Sequence, residues 1–80
     1  MGKNDSRIMT VALIREPKEA DAVEVAFSES ARFYKLLRKN PEFERIAREL
    51  HEAKDTRRAV RVMIEPPQSN VIVDAKLEVN

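Results

Sequence analysis

Proton transfer near neutral pH is a task suited to histidine, and this chain has one, His51. A metal centre built on that imidazole would need carboxylates for its remaining ligands, since there is no cysteine. Glu52 follows it directly, but on a helix successive side chains diverge by about a hundred degrees. No H-E-x-x-H spacing is present, so His51 is read as a boundary residue beside the apolar Leu50. A nucleophilic serine needs a base and a turn that presents it, and Ser6, Ser28, Ser30 and Ser69 include no G-x-S-x-G. Glu16 with Glu19, or Glu49 with Glu52, are pairs of acids that read as solvated surface. The one glycine, Gly2, leaves no glycine-rich loop to close on phosphates, which removes the P-loop and the dinucleotide fingerprint. The expectation is a chain that is not an enzyme, with no catalytic, cofactor-binding or metal-ligating residue assigned.

The basic residues carry more information. Residues 1 to 30 hold four basic and six acidic groups, residues 31 to 61 hold ten and five, and residues 62 to 80 hold one and three. The excess of cations is therefore central. Arg32, Lys35 and Arg38 crowd around Tyr34, while Arg57, Arg58 and Arg61 form a second group. A surface shared by the two could hold several phosphates, with Tyr34 as a stacking platform. That makes nucleic-acid binding the second of two functional expectations. Glu42, Glu44, Glu49, Glu52 and Asp55 dilute the field, and no GXXG loop or strand-borne aromatic pair is visible.

Elements must position these groups, and the apolar pattern predicts them. Arg7 to Arg15 is nearly continuous in apolar residues and reads as a strand. In Val23-Glu24-Val25-Ala26-Phe27 the alternation places one face inward, as in a half-buried second strand. Ser28 and Ser30 read as caps of a helix that carries Phe33, Leu36 and Leu37 on one stripe. Asn40-Pro41 ends that helix and starts another, with Phe43, Ile46, Ala47 and Leu50 inward. Val60, Val62 and Ile64 alternate in a third strand. Pro66 to Asn70 is a turn, and Val71 to Val79 alternates in a fourth strand. The predicted fold class is α+β: a largely antiparallel four-stranded sheet with two helices packed on one face, in the order β-β-α-α-β-β. Residues 1 to 80 form a single domain, with 1 to 6 expected to be flexible.

That layering leaves one sheet face bare. If Met9, Val11 and Leu13 face the helices, Ile8, Thr10 and Ile14 face away, joined by Met63 and Ile72, and a face so apolar calls for a cover. The first functional expectation is therefore a small protein-interaction module that uses Ile8, Thr10, Ile14, Met63 and Ile72 to self-associate as a homodimer or to dock another protein. No signal peptide or membrane-spanning run is seen, so the expected compartment is the cytoplasm, with no membrane partner and no cofactor. The match of Met1-Gly2 and Ser6 to a myristoylation pattern is too short to weigh.

Overall fold

A computed structural model describes residues 5 to 65 and 70 to 78. Five strands and one helix run in the order β1 (Asp5–Arg15), β2 (Ala22–Phe27), β3 (Phe33–Leu37), α1 (Phe43–Thr56), β4 (Ala59–Ile64) and β5 (Ile72–Leu77). The predicted four strands and two helices are thus corrected to five and one. The segment expected to form the first helix is a turn followed by β3. Ser30 N–H bonds Phe27 O at 3.2 Å, closing a turn where the serines were expected to cap a helix. β3 then pairs with β2 from Ala22↔Leu37 to Ala26↔Phe33. Five residues are too few to hold a helix on local propensity, whereas the edge of β2 offers a ladder of backbone bonds. The turn expected over Pro66 to Asn70 lies largely outside the described residues. So does most of the segment expected to be flexible, although Asp5 and Ser6 belong to β1.

All the named strand pairings are antiparallel, and the sheet order is β3-β2-β1-β4-β5. β1 is shared: residues 5 to 10 pair with β4, and Val11 to Arg15 pair with β2. Between those halves the register shifts from Val11↔Phe27 to Leu13↔Ala26, which leaves Ala12 as a bulge. Bulges bend a strand and increase its twist. The sheet curls until β3 meets β5 at a parallel bridge between Lys35 and Val71. Lys35 N–H donates to Asn70 O at 2.7 Å there, and the Asn70 side chain donates to Phe33 O at 3.3 Å.

Three hairpin-linked strands with a fourth returning beside the first make a Greek key. Closed by a fifth strand, this is the five-stranded, partly open barrel of OB type. Its interior is filled from every strand, by Met9, Val11, Val23, Val25, Phe27, Tyr34, Leu36, Val60, Val62, Ile64, Ile72 and Ala75. α1 adds Ile46, Leu50 and Ala53 at helical spacing. Where β5 has no strand beside it, α1 completes the backbone bonding: Glu49 accepts from Leu77 N–H at 3.0 Å, and Arg45 donates to Ala75 O at 3.5 Å. Arg45 also bonds Asp74 at 2.6 Å and pairs with Glu42, and these carboxylates, Asp74 first, hold its guanidinium more firmly protonated than usual.

Local turns mark the helix ends. Asn40 Oδ1 accepts from Glu42 N–H at 2.8 Å in a turn just ahead of the helix, whose N-cap is Glu42, without a side-chain cap bond, rather than the expected Asn40. At the other end Arg57 is left-handed, with φ 57° and ψ 36°. Arg58 N–H reaches Ala53 O and Arg57 N–H reaches Lys54 O, the pair of bonds of a Schellman ending.

Candidate functional site

Alternation along a strand decides which groups of β3 meet solvent. Tyr34 and Leu36 point inward and are buried, while Phe33 is 38% exposed and Lys35 is fully on the outside. Tyr34 packs edge-on against Phe27, with ring centroids 5.4 Å apart, and its hydroxyl meets Ser30 Oγ at 3.3 Å. The tyrosine proposed as a stacking platform is therefore core, and the exposed aromatic is its neighbour.

Across the outer surface of β1, β2 and β3 the register defines two rows. Leu13, Ala26 and Phe33 lie opposite one another in the first, and Arg15, Glu24 and Lys35 in the second. The bulge at Ala12 makes the first row possible. An unbroken strand would keep Leu13 on the side of Val11, but the extra residue turns Leu13 outward, 43% exposed, and sends Ile14 to pack against the core. The Arg15 guanidinium lies 5.4 Å from the centroid of Phe33, and its Nε is 3.7 Å from Glu24 Oε1. A ring, two cations and one carboxylate thus share an exposed, pre-formed surface. A planar or aromatic ligand stacks on such a ring, anions meet the cations, and the carboxylate accepts donor hydrogens.

The other expected residues are dispersed. Arg32 is exposed in the turn before β3. Arg38 serves the fold: its Nε donates to Ala20 O at 3.0 Å, its Nη2 to Pro17 O at 3.1 Å, and its guanidinium lies 5.5 Å from the centroid of Phe43. Arg57 and Arg58 end the helix, and Arg61 on β4 is bound to Glu78 at 2.9 Å. Arg57, Arg58 and Arg61 thus lie at the end of α1 and on β4, and Arg32, Lys35 and Arg38 on and beside β3, two strands that do not pair with each other.

Among the residues expected at a protein interface, Ile72 is fully buried in the barrel. The prediction failed there because a closed sheet has an inside and an outside rather than a helical and a bare face. Ile14 is turned inward by the bulge, and Met63 is half-buried. Thr10 is half-buried, with its N–H donating to Glu29 Oε1 at 2.8 Å and its carbonyl accepting from Ser28 at 2.9 Å. The Thr10 amide holds the Glu29 carboxyl below the usual carboxylate range. Ile8 remains outside, 51% exposed.

His51 meets a carboxylate that spacing along the chain did not reveal. Its Nε2 lies 2.8 Å from Glu16 Oε2, across from the loop after β1. Both side chains are nearly half exposed, and among the described residues no hydroxyl is bonded to the imidazole. The pair ties the β1–β2 loop to α1. Among the described residues no three histidine or acidic groups converge as metal ligands, and no helix is long and apolar enough to cross a membrane.

No protein-family model matches the chain, and no curated protein matches it. Among solved structures, a mutant of pro-protein-glutaminase is similar. The likeness covers 99% of this chain and 26% of that one, at 22% identity and a TM-score of 0.78. This chain therefore spans about a quarter of the length of that protein. The likeness establishes the fold alone. It also corrects the expectation that the chain is not an enzyme, because the same architecture occurs within a protein named for an enzyme. No catalytic residue is carried over with it.

Proposed function

We propose that the outer face of β1, β2 and β3 binds single-stranded nucleic acid, with one base stacked on Phe33 and phosphates met by Arg15, Lys35 and Arg32. The observation that carries this reading is an exposed phenylalanine beneath an arginine, at the start of β3 on the outer sheet face, flanked by a second cation. OB-type barrels bind oligonucleotides and oligosaccharides on the face of their second and third strands. That analogy adds weight at the level of the fold only. Of those two ligand classes the cations favour the phosphate-bearing one.

Fluorescence anisotropy with labelled single-stranded DNA tests the proposal. Wild-type protein should bind with an affinity that falls with salt, the slope corresponding to about two or three phosphates at roughly 0.7 each. Phe33→Ala should weaken binding by at least about tenfold, since base stacking on an aromatic contributes roughly 1–3 kcal/mol. Salt-independent binding, or binding indifferent to Phe33, would remove the proposal.

A second reading, contact with another protein, is favoured by Ile8. Its side chain is half exposed, and β2 ends at Phe27, short of the stretch of β1 that holds Ile8. Such an edge pairs readily with an extended segment. A mass above that of one chain in sedimentation, lowered by Ile8→Asp, would support self-association; a constant single-chain mass would dismiss it.

A further inference from the structure

We infer that Glu24 reads the base stacked on Phe33 and selects nucleobases carrying an exocyclic amino group, cytosine over thymine; this rests on the nucleic-acid reading of the same face. A surface that only attracted phosphates would gain nothing from a carboxylate at its centre. Yet β2 sets Glu24 directly between Arg15 and Lys35, its side chain 32% exposed. Since Ala26 is the residue opposite Phe33, Glu24 is Phe33's diagonal neighbour, at about 7–8 Å. That is close enough for a base lying on the ring to present its edge to the carboxylate.

Arg15 fixes the relation, because one guanidinium reaches both the Phe33 ring and Glu24 Oε1. An ionised carboxylate only accepts hydrogen bonds. Cytosine offers it the hydrogens of its amino group, whereas thymine turns a carbonyl oxygen to the same place, and two acceptors repel. The two pyrimidines stack comparably, so the difference isolates the edge.

The test measures anisotropy with labelled oligo-dC and oligo-dT of about 12 nucleotides, within the site size of one such barrel. Wild-type protein should favour oligo-dC by about tenfold. Glu24→Gln, which adds donor hydrogens beside its acceptor, should bring the two affinities together, while Phe33→Ala should weaken both. An oligomer of N4,N4-dimethylcytosine, which has no amino hydrogens, should bind wild-type protein like oligo-dT, and this arm needs no variant. Equal affinity for dC and dT, with binding still dependent on Phe33, overturns the role of Glu24 and leaves the nucleic-acid reading standing. A dC preference that survives in Glu24→Gln or with the dimethylated oligomer overturns it as well. Failure of any single strand to bind overturns both.

Discussion

Phe33 and Tyr34 are adjacent and aromatic, yet one serves the surface and the other the core. Nothing intrinsic to the side chains separates them; the pleat of β3 does. The same pleat buries Leu36, which is fully enclosed. Substitutions on this one strand should therefore divide sharply. Leu36→Ala should cost about 2–5 kcal/mol through lost burial and the cavity left behind. Phe33→Ala should remain within about 1 kcal/mol of wild type. Urea unfolding of both proteins measures the contrast, and equal losses would mean that Phe33 is part of the core. The contrast also matters to function, since a binding defect in Phe33→Ala is then not a folding defect. Arg38 shows the converse case: a cation read as a ligand group from its neighbours in sequence turns out to clasp the β1–β2 loop through two carbonyls.

Legibility at the level of elements followed the range of the interactions. The apolar stripe of α1 and the alternation of β4 are local signals, and each led to the right element, whereas Asn40-Pro41, read as the boundary of two helices, follows a strand. Phe33, Leu36 and Leu37 satisfied helical spacing, while Tyr34 and Leu36 satisfied strand spacing. What decided between them is pairing with Ala22 to Ala26, which no window around β3 contains. The bulge at Ala12 was equally hidden, because one extra residue leaves composition unchanged yet exchanges the faces of Leu13 and Ile14. That exchange explains why the surface inferred from an unbroken β1 named Ile14 and omitted Leu13. Arg57 is a local feature of another kind. A left-handed residue at a helix end is usually glycine, and the only glycine of this chain is Gly2. Arg57→Gly should raise stability by about 0.5–1 kcal/mol, read as a higher urea midpoint with an unchanged slope. A lowered midpoint would show that the arginine side chain contributes more than its backbone costs.

For the whole molecule, closure is the property that a four-strand, two-layer expectation missed. It depends on one bridge between β3 and β5 and on polar side chains of α1 laid along the rest of β5. Unpaired strand edges are sites of association, and proteins cover them. Glu49→Ala should strip the acceptor from Leu77 N–H, lower stability by about 1 kcal/mol, and produce scattering that grows with protein concentration. An unchanged scattering profile would mean that Arg45, bonded to Asp74 and Ala75, protects the edge without help. The expected sheet-face interface lost Ile72 because closure places it in the interior, and Ile14 because the bulge at Ala12 turns it inward. The site now proposed differs from the expected one: Phe33 takes the place of the buried Tyr34, and Arg15 and Glu24 were unremarked in the sequence.

The division of β1 between two partners has a consequence for how the chain is made. Its second half finds β2 within a few residues, so a meander of β1, β2 and β3 can form early. Its first half, Asp5 to Thr10, has β4 as its partner among the named strands, and β4 is synthesised after the whole of α1. At about 5–20 residues per second, a nascent chain on the ribosome passes through an interval of seconds with that half-strand unpaired and Met9, buried in the finished barrel, uncovered. A translational pause within α1 would lengthen the interval, and chaperones or neighbouring nascent chains would meet the protein at that half-strand.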